Sequence, residues 1–561
     1  MKNFEERADQ LSLKDIDECL ADGEIFKSAR LKLLAPGAKL LIGPRGTGKT
    51  HLMRYTYAHA MHSKSSPLVL YASFNRYLHL EPLLKKSPDA LKRFHTWVVA
   101  RLLLSVYDYL NDAELSSDQF SASGFTYGEG ELRQLVALLE RGSGDELYET
   151  VGRNLTVEHV HGAVHCLMGS LKRSRCVILL DDAALSLSDQ YLVSFFEIFR
   201  LLKSEGVAPK ASVYPGSTQY GPTFHASHEA EEVHLWLSIE DPDYSSIMGD
   251  IATRRLSLEE SNAMNPDILE LFKYVAFGIP RVFLRLLREY FDSKPGTSQQ
   301  KVNKIVERQA ALIGAEYDSL GLKLQQFSSI VTIGRKFFDR VISDVTVAQG
   351  EDSTKRNITI GLRQGDDRTP LADRMIRFLV EVGLLYPLQA VSHGANRKYD
   401  RFIPHIAFLY QQGAFREGRK ATLKALPELM RQPSVKHPIR RELTTLLSAD
   451  EISGLKLDLP PCQNCGAQRY NDSQLFCHQC GEQLVASSLF EECMKLPLEN
   501  VPGISSALIA RIHRDTKIKT IGHVVASQNA SSDLQRANYV GPVRAESIIN
   551  KVALTVEEFL S

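Results

Sequence analysis

Leu40-Leu41-Ile42-Gly43-Pro44-Arg45-Gly46-Thr47-Gly48-Lys49-Thr50 is the stretch that decides how the first half of this chain is read. An apolar run ends in glycine, and Lys49–His59 continues with helical character. The pattern G-x-x-x-x-G-K-[ST] between a strand and a helix is a phosphate-binding loop. Its glycines let the backbone curl so that N–H groups face phosphate oxygens, and the helix N-terminus adds partial positive charge. Gly43, Pro44, Arg45, Gly46, Thr47, Gly48, Lys49 and Thr50 are therefore the candidate nucleotide contacts. Lys49 is expected to reach the β and γ phosphates, and Thr50 to offer its hydroxyl to Mg²⁺. A chance glycine-rich turn is the competing reading, and the flanking strand and helix weigh against it.

Such a site needs acidic groups at the end of a buried strand. Cys176-Val177-Ile178-Leu179-Leu180-Asp181-Asp182 supplies them. Asp181 is expected to hold Mg²⁺ through water, and Asp182 to polarise the attacking water. An Asp pair after a strand also caps helices, so the pair draws its meaning from the loop upstream. Further strands are expected at Lys39–Ile42, Leu68–Ser73, Cys176–Leu180 and Ala211–Gly216. Their alternation with longer amphipathic stretches implies a parallel sheet flanked by helices.

Together with Gly278-Ile279-Pro280-Arg281, the loop and acidic strand resemble the AAA+ ATPases of the origin-recognition (ORC-type initiator) branch. The signal-transduction (STAND) ATPases share much of this layout. The resemblance spans about residues 25–410. It implies an α/β P-loop NTPase that binds ATP with Mg²⁺, a helical lid, and a winged helix after the lid. It also implies that Arg281 senses the γ-phosphate from the lid, the alternative being a surface arginine near a helix start. A polar sensor is expected in Ala211–Gln219, at Ser217 or Thr218, and Arg254-Arg255 is the pair considered for an arginine finger. Asp182 stands where these families commonly carry Glu, which implies hydrolysis that is slow or awaits activation.

The 561 residues are 43% hydrophobic and 24% charged, with 67 basic and 67 acidic side chains. That length implies roughly three to five domains of about 100–200 residues. No apolar run reaches the roughly 18 residues of a membrane span, and the acidic start MKNFEERADQ is unlike a leader, so a cytoplasmic chain without membrane contact is expected. The expected division is an N-terminal lead-in and ATPase domain over 1–228, a helical lid over 229–295 and a winged-helix region over 296–415. A basic helical connector over 416–457, a zinc ribbon over 458–487 and a small all-α domain over 488–561 follow. Ser293-Lys-Pro-Gly-Thr-Ser reads as the linker after the lid. The winged helix is expected as a helix over Pro370–Gly383 and two strands, Leu384–Gln389 and Lys398–Ile403, around a His393-Gly394-Ala395-Asn396 turn.

Of eight cysteines, Cys462, Cys465, Cys477 and Cys480 form two C-x-x-C-G turns with eleven residues between them. Two such turns give a closed S₄ donor set, suited to structural Zn²⁺ and without an open position for catalysis. Iron or paired disulfides are the alternatives, and His478 is expected to be a neighbour rather than a ligand. Thirty residues cannot make an adequate core alone, so the metal should supply most of this segment's folding energy.

Val501-Pro-Gly503-Ile ahead of a helix over Ser505–His513, and Val540-Gly541-Pro-Val ahead of a helix from Arg544, fit the helix-hairpin-helix pattern. With Ile518-Lys-Thr-Ile-Gly-His-Val-Val, this domain is similar to the C-terminal domain of the bacterial RNA polymerase α subunit, which touches DNA and partner proteins. Ser505 and Val543 stand where the pattern usually has glycine, which leaves phosphate contact and protein docking both open. Arg374, Arg377, Arg397, Lys398 and Arg401 around the winged helix, with Lys420, Lys424, Arg431, Lys436, Arg440 and Arg441 after it, are candidate duplex contacts. The alternative is a solvated face on a domain-packing module.

The expected function is an ATP-dependent switch that binds duplex DNA and recruits or regulates a protein partner or effector, with ATP-dependent homo-oligomers as one form. A bacterial defence or mobile-element system is its expected setting. The rival is a STAND-like signalling scaffold acting through protein contacts without DNA. No nuclease, ligase or methyltransferase constellation is present.

Overall fold

The computed structural model describes residues 8–560 apart from 22, 75–79, 81–88, 116–126, 141–144, 183–188, 219, 221–223, 294–296, 352–354, 366–367, 393–396, 417–421, 436–438, 460, 463, 470–473, 475, 483, 485–492, 526 and 528. The expected wing turn His393–Asn396, the centre of the linker, Gln219, Lys420 and Lys436 lie outside the described residues.

The chain enters through helices α1 (Leu13–Cys19) and α2 (Glu24–Leu34) and then strand β1 (Lys39–Ile42). Every residue of β1 is buried, as a strand covered on both faces requires. Gly48 takes φ 96° at the start of α3 (Lys49–His62), a conformation that favours glycine, so the chain turns from strand into helix within a few residues. Strand β2 (Leu68–Ser73), the long helix α4 (Ala90–Asp112), α5 (Glu129–Glu140), α6 (Val157–Ser170), β3 (Cys176–Asp181), α7 (Asp189–Leu202), β4 (Val207–Val213) and β5 (Glu231–His234) complete the unit.

The sheet runs β2-β3-β4-β1-β5, with every neighbouring pair parallel. A parallel α/β sheet with a glycine loop at the end of β1 fits an AAA+ P-loop NTPase. Its aromatic core is built where α4 and α7 cross: Phe94 stacks on Tyr191 at 4.3 Å, and Phe74 meets Trp97 and Phe195 edge-on.

Two strands differ from expectation. β4 begins four residues earlier, at Val207, and ends at Val213, because Pro209 and Lys210 interrupt the apolar run while remaining inside the sheet. β5 has the sequence Glu-Glu-Val-His, with only Val233 buried, and was not anticipated. Its charged side chains suit an edge strand that presents unpaired backbone to solvent.

Four helices follow: α8 (Tyr244–Arg255), α9 (Leu258–Ala263), α10 (Pro266–Val275) and α11 (Pro280–Asp292). The long helices α12 (Ser298–Lys323) and α13 (Ser328–Glu351) pack against one another and lead to β6 (Ile360–Arg363), α14 (Pro370–Glu381), the hairpin β7 (Leu385–Ser392) and β8 (Lys398–Pro404), and α15 (Ile406–Gln412). The chain expected to be a helical connector contributes a short helix, α16 (Ala425–Met430), but also a strand, β9 (Ile439–Arg441). β9 closes a second sheet in the order β7-β8-β6-β9. After the cysteine turns come α17 (Ser506–Asp515), α18 (Ile521–Val525), α19 (Ala530–Gln535) and α20 (Pro542–Leu560). No described helix is long and apolar enough to cross a membrane.

Candidate nucleotide site and cysteine cluster

Ligands of open parallel sheets sit outside the carboxyl ends of the strands. Here that edge carries Gly43 after β1, Asp181 at the end of β3 and Tyr214 after β4. Lys49 is buried at the first position of α3, and its Nζ donates to the carbonyls of Gly43 (2.6 Å) and Pro44 (3.0 Å). The ammonium also lies 4.2 Å from the centre of the Tyr214 ring. Burial pulls the Lys49 pKa down to about 7, although Asp182 and Asp181 favour the charge. Thr47 Oγ1 donates to Pro44 O at 3.0 Å and braces the loop. A Cβ at Gly48 would meet nothing within 4 Å, so the space beside the loop is open, and the Lys49 ammonium next to it is the donor that a phosphate group would need. Thr50 is half-buried in the first turn of α3.

Arg281 stands where α11 meets this loop. Its backbone N–H donates to Gly46 O at 3.3 Å. Gly46, at φ 81°, has no room for a side chain, because a Cβ would lie 2.8 Å from that of Arg281. Arg45 is surrounded by Tyr214, Glu316 and Asp182. Burial works against its charge, and these neighbours more than offset it, so its pKa is raised.

The Asp181 carboxylate is almost wholly buried and accepts from hydroxyls on both neighbouring strands. Tyr71 OH lies 2.8 Å from Oδ2, and Ser212 Oγ lies 3.0 Å from Oδ1. Ser212 Oγ also accepts from the backbone N–H of Asp182 at 2.9 Å. Asp182 takes φ 53°, a left-handed conformation uncommon for a residue with a side chain. Burial, followed by the charge of Asp181, raises the Asp182 pKa, against the pull of Arg45 and Lys49. Burial, then the same two carboxylates, also raises the Tyr71 phenol well above its ordinary value.

Neither Ser217 nor Thr218 faces this acidic pair. Ser217 donates from Oγ (2.7 Å) and from its backbone N–H (2.6 Å) to the Glu381 carboxylate at the end of α14, and Gly216 N–H joins them at 2.7 Å. Thr218 Oγ1 accepts from Tyr214 N–H at 3.0 Å. On this strand the hydroxyl that reaches the acids is that of Ser212, inside β4. Its position within the strand hid it from a sequence reading that looked beyond the strand end. Tyr71, Tyr214 and Glu381 carried no local signal either.

Arg254 and Arg255 are both engaged within the chain. Arg254 pairs with Asp250 at 2.9 Å and reaches Glu18 O at 3.3 Å, while Arg255 is 5% exposed. Both belong to α8, which packs on the lead-in helix α1.

Several candidate duplex contacts are engaged within the chain. Arg441 pairs with Asp344 at 2.7 Å, Lys424 lies 3.7 Å from Asp267, Arg431 lies 3.9 Å from Glu270, and Arg374 lies over the Phe327 ring. Arg401 Nε donates to Gln389 O, whereas Arg377, Arg397, Lys398 and Arg440 are exposed. In α14 itself Ala372, Met375, Ile376, Phe378, Leu379, Val380 and Glu381 are buried.

The donor atoms of Cys462, Cys465, Cys477 and Cys480 all lie within 4.8 Å of one another. Cys462 and Cys480 sulfurs are 3.5 Å apart, as are those of Cys465 and Cys477. A tetrahedral site with Zn–S bonds of about 2.3 Å needs sulfurs about 3.8 Å apart, so this donor set fits zinc. The two turns match: Gly466 N–H donates to Cys462 O and Gly481 N–H to Cys477 O, with both glycines at positive φ. In the last domain, Gly503 takes φ 78° before α17, its carbonyl accepts from Lys551 Nζ at 2.6 Å, and Tyr539, at φ 67°, stands exposed before α20.

No family model matches the chain, and no curated protein matches it. Among solved structures, the Aeropyrum pernix ORC1 protein, in a complex with DNA, is similar over 69% of this chain and 90% of its own. The two are 15% identical, and the superposition has a TM-score of 0.29.

Proposed function

We propose that this chain is an ATP-dependent switch of the AAA+ type that binds duplex DNA and regulates or recruits a protein partner. One observation carries the nucleotide reading: Lys49, the Asp181–Asp182 pair and the start of the Arg281 helix converge on the glycine loop at the carboxyl edge of the sheet. Gly43 to Thr50 would wrap the phosphates, Lys49 would exchange the loop carbonyls for phosphate oxygens, and Thr50 and Asp181 would hold Mg²⁺. Asp182 would orient and polarise the attacking water. Bound Mg-ATP supplies the anhydride to be cleaved and the charge that the site's cations answer. Arg281 would sense the γ-phosphate as the lid helices α8–α11 close. The lid, winged-helix region, zinc ribbon and helix-hairpin-helix domain would then be the parts that respond.

ATP turnover by the purified chain, with and without duplex DNA, tests this reading. Stimulation by DNA that Lys49→Ala and Asp182→Ala each abolish, with a loss of about 100-fold or more, is the expected outcome. Turnover indifferent to DNA favours the second reading, a signalling scaffold whose ATP-controlled assembly works through protein contacts. The pairing of Arg441, Lys424 and Arg431 with acidic groups of the same chain supports that alternative.

A further inference from the structure

Asp181 is held in an unusual degree of detail for a carboxylate at a strand end. β3 lies between β2 and β4, and each neighbour sends one hydroxyl to it. Tyr71 donates to Oδ2 and Ser212 to Oδ1, so each oxygen is tied in a different direction and the carboxylate plane is fixed. A carboxylate has about four lone-pair sites, and the two hydroxyls occupy only two of them. Each oxygen therefore keeps a lone pair for a further donor. Ser212 does a second thing: by accepting from Asp182 N–H, it fixes the peptide that joins the two acids. That peptide leads into the left-handed turn at Asp182, so one hydroxyl braces both the Asp181 carboxylate and the backbone of Asp182.

We propose that Tyr71 and Ser212 are positioning residues for the metal that accompanies ATP, holding Asp181 in the orientation that receives Mg²⁺ or its bound water. This rests on the nucleotide reading of the site. Outer hydrogen-bond partners of metal-binding groups act by fixing the ligand's direction, and their loss typically weakens metal binding by 10–100-fold. The hydrogen bonds of both hydroxyls go to the acid pair and not to the loop, so their loss is expected to spare metal-free ATP binding.

That separation defines the experiment. ATP affinity is measured by calorimetry on the full chain, once in EDTA and once with saturating Mg²⁺, for wild type, Tyr71→Phe, Ser212→Ala and Ser212→Thr. The ratio of the two affinities is the gain due to Mg²⁺. In EDTA, the affinities of all four proteins are expected to agree within about twofold. The Mg²⁺ gain is expected to fall about tenfold in Tyr71→Phe and in Ser212→Ala, and to return in Ser212→Thr, which keeps the hydroxyl. Tyr71→Phe removes one oxygen and keeps the ring, so it serves if Ser212→Ala fails to fold. An undiminished Mg²⁺ gain in Tyr71→Phe overturns the proposal. So does an equal loss in both buffers, which would mean that the hydroxyls support only the fold. A wild type that binds no ATP in either buffer overturns the nucleotide reading first, and the proposal with it.

Discussion

Lys210 has no exposed surface, yet it occupies the middle of the sheet, opposite Lys39 in the register of β1 and β4. Its ammonium is met by the carbonyls of Ala35, at 2.7 Å, and Gly37. Burial, reinforced by the charges of Lys39 and Arg175 and opposed by Glu231, pulls its pKa down to about 7. An unfolded lysine keeps its proton to about pH 10.4. Between these values the unfolded chain binds more protons, so the stability contribution of Lys210 must rise with pH across that window. Lys210→Met removes this dependence. Denaturant unfolding at pH 7 and pH 9 should therefore show wild type gaining on the variant by about 2 kcal/mol over those two units. A constant difference would mean that Lys210 stays charged throughout. The same residue marks a limit of legibility: a proline and a lysine in succession look like a strand boundary. Only the carbonyls supplied by Ala35 and Gly37, more than 170 residues away, make a buried ammonium tolerable there.

Elements whose signal is local are legible, and elements whose meaning comes from a distant partner are not. β1 and β2 have the bounds that their apolar runs suggest, and Pro370 at the first turn marks the start of α14. What the end of α14 does was hidden, because its partner is the turn after β4. Glu381 accepts from two backbone N–H groups and one hydroxyl there, and Gly216 admits no Cβ, which would lie 2.8 Å from Glu381 Oε2 and 2.9 Å from Phe378. This clasp holds the helix that precedes the β7–β8 hairpin against the carboxyl edge of the nucleotide sheet. Glu381→Ala leaves those donors without a protein partner, each missing bond costing about 1–3 kcal/mol less whatever water regains. A loss of about 2–4 kcal/mol is expected by chemical denaturation, with faster hydrogen exchange at Gly216 and Ser217. Unchanged exchange at those two amides would show that the turn holds its shape without the helix. The candidate site divides in the same way: the glycine loop and the acid pair are each a continuous stretch of sequence, whereas Ser212 and Tyr71 meet the acids only through the sheet order, and Glu381 meets the turn after β4 only through the packing of α14.

At the scale of the whole molecule, the cysteine segment is attached to a body from which it draws little support. Asp458 is the firm end of the join: its carboxylate accepts from Ser329 Oγ (2.7 Å) and Ser329 N–H (2.5 Å), capping α13, and its own N–H donates to Gln326 O. Beyond that point, between Leu455 and Cys493, the buried apolar residues among those described are Cys462 and Cys477 alone. With the two cysteines as the only buried apolar residues among those described in this stretch, the metal is the main source of cohesion there, so its binding and the folding of the segment are expected to be one event. The nucleotide sheet is in the opposite position, since its core is continuous and includes none of the four cysteines. Chelation should therefore release one zinc per chain and expose residues 458–487 to protease, while ATP affinity changes by less than about twofold. Substituting Cys477→Ser should reproduce that pattern without a chelator. If ATP binding falls together with zinc, the cysteine turns must act on the nucleotide site through α13, and Asp458→Ala, which cuts the join but spares the metal, should then lower ATP affinity as well.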